Sequence, residues 1–332
     1  MNQPVPANPF HTAALRLSDA PTVRAEGEGR VHGKVILIGE HAVVYGQPAI
    51  ALPVNSVEAA VTLRLFDAAR IDSDLYVGLS DAAPEEVAPV LAAVDAVTQA
   101  AGFEKGQVGV TIRSSVPVGR GLGSSAAVAG AIVDAAASVA GLRWNDDERY
   151  ELIQASERIA HGTPSGLDAR TVISDHPVYF QHGQASRIEV GTPFGFVIAD
   201  TGRPSFTAQA LAGVRVLHEL DHDMATAAIN RLGELTEASR IALADGDVPT
   251  LGTIMTEAHG LLTRIDVSSA ELNDLVTAAL DAGAIGAKLT GGGLGGCIIA
   301  LAATPQATDA LATALTKAGA ADVWTMTLEA TR

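Results

Sequence analysis

Between Gly119 and Ser125 the chain reads GRGLGSS and then enters an alanine-rich run that ends near Gly141. Glycines let a backbone approach an anion closely and adopt positive φ. A helix beginning at Ser124 leaves its first N–H groups without internal partners and turns the positive end of its dipole towards the glycines. Strand, glycine turn and helix start together form a phosphate site that needs no basic surface. Pro117 and Val118 lead into the loop, and the backbone of Gly119, Arg120, Gly121, Leu122 and Gly123 lines it. Ser124 is placed to cap the helix, and Ser125 to offer its hydroxyl to a phosphate or to Mg²⁺. An ordinary turn with a serine cap stays open on these residues alone. No lysine precedes the serines as a P-loop requires, and the spacing is G-x-G-x-G rather than G-x-G-x-x-G.

Three other stretches carry reactive types. Lys34 opens the β-branched run GKVILIG (33–39), and Glu40 and His41 stand where that run ends. In ERIAHGTPSGLD (157–168), Glu157 shares a helical stripe with Ile153 and Ala160. A carboxylate on an apolar stripe needs a cation or hydrogen-bond donors. Gly162, Pro164 and Gly166 make the following loop bent and stiff, and it delivers Asp168. Read singly, Glu40–His41 fits a solvated turn and Asp168 a turn or cap residue. In GAKLTGGGLGGC (286–297), Gly291, Gly292, Gly293, Gly295 and Gly296 sit between two strand-like runs. They allow close backbone approach, near a phosphate or against the first loop, or else tight packing between domains.

The elements that must position these residues follow from periodicity. Strands are expected at 33–39, 49–66 and 109–117, a hairpin at 178–190, and a strand at 194–202. Helices are expected at 83–102, 124–140 and 145–159, the last opened by an Asn145–Glu148 capping box. Beyond residue 192 the pattern is mostly helical (206–220, 223–244, 248–264, 270–282). It returns to strand at 286–290 and 296–302, helix at 305–318, and strand near 323–328. Strands early and helices late indicate an α+β protein of two domains, 23–191 and 192–332, behind a loose leader at 1–22.

Composition narrows the function classes. A 332-residue chain with 48% hydrophobic and 18% charged residues is globular. A net charge of −16 argues against a nucleic-acid partner reached through a basic face. The single cysteine, Cys297, excludes an internal disulfide and fits a reducing cytosol. The longest apolar run is cut by Asp134, so no membrane span is expected. No G-x-S-x-G elbow of a serine hydrolase occurs. The apolar faces of the later helices could form a homodimer surface.

Together GKVILIGEHAVVYG, PVGRGLGSSAA, HGTPSGLD and GAKLTGGGLGGC resemble the GHMP small-molecule kinases, in the right order and across nearly the whole chain. The form EHAVVYG at 40–46, with HGTPSGLD, is similar to the branch acting on mevalonate. Galactokinases carry a GEHTDYN-like sequence there, and phosphomevalonate kinases a GEYAVLEG-like one. The resemblance implies an N-terminal domain like domain 2 of ribosomal protein S5 and C-terminal helices on an antiparallel ferredoxin-like sheet. The active site would lie in the cleft between them. It implies ATP and mevalonate as substrates, Mg²⁺ as cofactor, and neither nucleic acid nor membrane as partner. Asp168 matches the family's catalytic aspartate and Lys34 the lysine beside it. Ser125 and Glu157 match the Mg²⁺ ligands, and 117–125 the ATP loop. Glu40, His41 and Thr207 match substrate-site positions. Three residues depart from the pattern: Arg120 stands for an alanine, Leu294 interrupts the glycine run, and Ser205 replaces an arginine. Arg120 would either touch the phosphates or point to solvent.

Overall fold

The computed structural model describes residues 26–66 and 68–331. The expected leader, 1–22, lies outside the described residues. The first half contains β1 (Glu26–Ile38), β2 (Ala49–Leu65), β3 (Arg70–Asp72), β4 (Val77–Leu79) and α1 (Ala88–Ala101). It continues with β5 (Val108–Ser114), α2 (Ser124–Ala140), α3 (Asp146–His161), α4 (Leu167–Val172), β6 (Val178–Gln181) and β7 (Gln184–Arg187). The expected strand at 33–39 is only the back half of β1. The front half, EGEGRV, alternates exposed and buried positions and so is half-covered, whereas the back half is buried on both faces. The expected helix at 83–102 starts later, at Ala88, with Pro89 in its first turn and two short 3₁₀ turns before it.

Long β2 organises the first sheet. One edge pairs with β1 along almost its whole length. The other is shared by β6 at Ala49–Ala51 and β5 at Ala59–Leu65. Pro53, which has no N–H, falls in the gap between those two partners. Helix α2 lies on this sheet, and its alanines set the distance. A side chain at Gly29 of β1 would run into the Ala131 carbonyl. Small residues on both surfaces therefore bring the helix, and the loop before it, close against β1. The Asp134 carboxylate takes two bonds, 2.9 and 3.1 Å, from Arg149 of α3. The Asn145–Glu148 capping box forms in full.

The second half comprises β8 (Phe194–Asp200), α5 (Thr207–Leu220), α6 (His222–Asp245), α7 (Val248–Arg264) and α8 (Ala270–Asp281). They are followed by β9 (Gly286–Thr290), β10 (Cys297–Leu301), α9 (Thr308–Lys317) and β11 (Asp322–Leu328). The sheet order β11-β8-β10-β9 is antiparallel throughout. This is the ferredoxin-like β-α-β-β-α-β arrangement, with four helices in the first crossover. The α+β architecture with an antiparallel second sheet is as expected. Among the described residues no helix is long and apolar enough to cross a membrane.

The two halves are joined where β1 meets β9. The Thr290 hydroxyl donates to the Ile36 carbonyl (2.8 Å) and accepts from the Ile36 amide (3.2 Å). The β1–β2 register shifts between Ile36 and Ile38, which leaves those backbone groups available to a side chain from the other sheet.

Candidate active site

The loop 117–123 runs from β5 to α2 and is held from below. Leu122 is fully buried, and its carbonyl accepts from the Lys34 amide at 3.0 Å. Gly123 is the residue before the helix, with φ +74°. A Cβ there would lie 2.7 Å from Lys34 Cγ, so the lysine stem passes directly beneath this glycine. Ser124 does not cap α2 as expected. It is the first helical residue, and its hydroxyl donates to the Val116 carbonyl at 3.2 Å. The first amides of α2 are thus left uncapped by side chains, facing the loop.

Lys34 Nζ lies 2.9 Å from Asp168 Oδ1. The lysine side chain is almost wholly buried and that of the aspartate is 30% exposed, so the aspartate is the partner open to solvent. Asp168 stands in the first turn of α4, entered through Gly166 at φ +94°. Nearby, Ser125 Oγ donates to Glu157 Oε1 at 2.6 Å, and His161 Nε2 lies 3.4 Å from the same hydroxyl. Glu157 is 2% exposed. Burial, then the neighbouring Asp168 charge, pushes its carboxyl above the usual range, against the Ser125 bond, His161 and Lys34. Its helical stripe is shorter than expected: Ile153 is buried, but Ala160 is exposed.

Glu40 and His41 are not in a solvated turn; they are 2% and 4% exposed. The Ala42 amide bonds the Glu40 carbonyl at 2.7 Å and His41 has φ +62° and ψ −43°. This is the strained, positive-φ form of the γ-turn. Strain of this kind persists only where the surroundings impose it, and here His41 Nε2 donates to the Gly292 carbonyl at 3.0 Å. Burial, helped by the Lys288 charge and opposed by that bond, lowers the imidazole to about 4.

The second glycine run packs against the first loop. A Cβ at Gly291 would lie 3.3 Å from Gly121 Cα, and one at Gly296 would lie 3.1 Å from the Arg120 carbonyl. Gly293 accepts from the Phe206 amide (3.2 Å) and the Ser205 hydroxyl (3.2 Å). The Ser205 amide donates to the Gly119 carbonyl at 2.8 Å, so the serine departure links the two loops. Gly295 lies against the Pro204 carbonyl, and Leu294 takes φ +55° with its amide on Val267 O at 2.9 Å. Exposed Thr207 begins α5 directly over Gly292. Arg120 neither reaches for a ligand nor points to solvent: its Nε binds buried Asp200 of β8 at 2.7 Å. A separate cavity of about 500 Å³ on the first sheet is lined by Arg30 and Glu58, which pair with each other, and by Arg113, which pairs with Asp72 outside the lining.

The family models for the GHMP kinases N terminal domain and the GHMP kinases C terminal match residues 88–175 and 239–321. A mevalonate kinase of Thermococcus sibiricus is 36% identical over 315 residues, covering 86% of this chain and 91% of that one. One from Pyrococcus furiosus is 34% identical with the same coverage. The chain belongs to the GHMP kinase family. Among solved GHMP kinases, L. major mevalonate kinase in complex with R-mevalonate superposes with a TM-score of 0.82 at 26% identity, covering 94% of this chain and 99% of that one. The enzyme from methicillin-resistant Staphylococcus aureus gives 0.71 at 32%, covering 92% and 99%.

One charged residue of this GHMP kinase escaped the sequence reading. Lys288, inside GAKLTGGGLGGC, is fully buried in β9 and its Nζ contacts Glu40 Oε1. Burial raises Glu40 and lowers Lys288, and each is the chief influence pulling the other back. The available signal was a lysine flanked by Ala287 and Leu289 in an otherwise apolar strand, a position that requires a buried partner.

Proposed function

We propose that the chain is a mevalonate kinase, which transfers the γ-phosphoryl of ATP to the 5-hydroxyl of mevalonate and gives 5-phosphomevalonate. The proposed site lies between an N-terminal ATP-binding unit (23–191) and a C-terminal unit (192–332). The observation that carries this reading is the Lys34–Asp168 pair, 2.9 Å apart, beneath a glycine loop that opens a helix. The relatives' printed names support the substrate.

Phosphoryl transfer asks for alignment and charge stabilisation more than for covalent chemistry. The amides of 119–125 hold the triphosphate at the uncapped start of α2. Asp168 orients the substrate hydroxyl and takes its proton late, as the bond to phosphorus forms, because a carboxylate is a weak base for an alcohol. Lys34, fixed by its contact with Asp168, stabilises the charge on the transferring group. Glu40, His41 and Thr207 border the alcohol.

Ser125 and Glu157 fit Mg²⁺. Both offer hard oxygen ligands, and Glu157 is a carboxylate that is only 2% exposed. Among the described residues no three His, Cys, Asp or Glu side chains converge on a metal. That suits an ion held by one or two protein oxygens and by substrate phosphates. Held by Ser125 and Glu157, Mg²⁺ would supply positive charge that offsets the charge of the phosphates.

A coupled ADP assay over mevalonate, phosphomevalonate and galactose tests the substrate. Asp168→Asn tests the mechanism: turnover falls by about 10²–10⁴-fold while ATP still binds. Preference for another alcohol, or normal turnover in the variant, refutes the respective part.

A further inference from the structure

Lys288 occupies a strand position that a leucine would fill without desolvating a charge. All five residues of β9 are buried, and the lysine is 0% exposed. Its Nζ reaches across the seam between the halves to Glu40 Oε1 and donates to the Leu289 carbonyl at 2.6 Å. An ion pair in such a place is weak evidence for stability, because a well-packed apolar pair serves as well or better. Its geometry indicates a different use. Glu40 Oε2 and His41 Nδ1 are both buried and have no hydrogen-bond partner. Since His41 Nε2 donates to Gly292, Nδ1 is an acceptor. Two acceptors on consecutive residues of a strained turn are therefore left unsatisfied, a costly state unless a donor arrives.

We propose that Lys288 is a positioning residue. It clamps one oxygen of Glu40 so that the other stays directed at the alcohol substrate as a charged acceptor for a hydroxyl hydrogen. This rests on the reading of Glu40 as part of the substrate site. Without Lys288 the carboxylate is free to rotate, and it becomes protonated or draws in water. Either change removes the acceptor that binds the alcohol, while the ATP loop is untouched.

The test is steady-state kinetics of the full chain for Lys288→Met, Glu40→Gln and the double variant, with mevalonate and ATP varied separately. Lys288→Met raises the KM for mevalonate by about 10- to 100-fold and changes that for ATP by less than about twofold. Added to Glu40→Gln, the same substitution changes the mevalonate KM by less than about twofold, because its target is already gone. Lys288→Gln, which keeps a donor for Leu289 O, carries the comparison if the methionine variant does not fold. Equal effects of Lys288→Met in both backgrounds overturn the proposal. So does a lowered melting temperature with both KM values unmoved, which is the signature of a purely structural pair. If the wild-type chain does not phosphorylate mevalonate, that failure belongs to the functional reading, and the series is run on the alcohol it does accept.

Discussion

Acid should destabilise this protein through His41 in the range where an ordinary histidine titrates. The ring is 4% exposed, donates from Nε2 to Gly292 O at 3.0 Å, and leaves Nδ1 without a partner. Burial first, and the Lys288 charge after it, bring the imidazole from 6.5 to about 4. In the unfolded chain the ring binds a proton below about pH 6.5, whereas in the folded chain it stays neutral until about pH 4. The unfolded state holds more protons across that window, so stability is complete above it and declines as pH falls through it. The displacement of about 2.5 pH units sets a ceiling of about 3.4 kcal/mol at ~1.36 kcal/mol per unit. Between pH 7.5 and 5.0 the part already lost is about 2 kcal/mol. His41→Asn removes the titrating group, and asparagine tolerates positive φ better than most residues. Urea unfolding of both proteins at the two pH values gives the difference directly. The wild type loses about 2 kcal/mol more than the variant. An equal loss in the two proteins refutes the reasoning.

The remaining predictions concern the proposed transfer site. Ser125→Ala and Glu157→Gln raise the half-saturating Mg²⁺ concentration, and a titration of rate against Mg²⁺ that does not move removes them from the metal shell. Because Glu157 is held above the usual carboxylate range, it protonates earlier as pH falls. The wild-type Mg²⁺ requirement therefore climbs with acid while that of Glu157→Gln stays flat. Gly123→Ala costs about 1–2 kcal/mol through its φ of +74° alone, read as a lowered melting temperature. It also lowers kcat, because the new Cβ displaces Lys34; an unchanged kcat contradicts the placement of that stem. Lys34→Met lowers kcat by about 10²–10³-fold with near-normal circular dichroism.

The fold was legible wherever one periodicity ran to its end. Helices α2, α3 and α6 to α8 and the strands of the second sheet fall within a few residues of their expected positions, because glycines, prolines and caps terminate them locally. The front of β1 was missed because EGEGRV carries one apolar side chain, Val31: its other two buried positions, Gly27 and Gly29, are glycines that admit α2, a tertiary reason invisible in a strand pattern. At the site, residue types were readable, but pairings were not. Lys34 and Asp168 are 134 positions apart, and nothing local announces their contact. Ser124 looked like a cap because serine usually is one before a helix. Gly123 occupies that place instead, since the loop needs a left-handed residue there and Lys34 fills the space beneath it. Arg120 was ambiguous for the same reason: its partner, Asp200, comes from the other sheet.

The pairings also bear on how so acidic a chain would hold a triphosphate. Among the described residues, three cations that the fold brings to the proposed site each meet a carboxylate there: Lys34 with Asp168, Lys288 with Glu40, Arg120 with Asp200. The side chains of these three pairs add no net positive charge, and Glu157 adds a negative one. Attraction for an anion must then come from main-chain amides and the start of α2, together with a cation brought by the ligand itself. A free triphosphate would face Glu157 and Asp168 unshielded, whereas its Mg²⁺ complex would give the buried Glu157 a cation. On this account the protein selects the metal–nucleotide complex over the bare nucleotide through an excess of carboxylate. The arginine that departs from the family pattern leaves that balance untouched, because Asp200 takes up its charge.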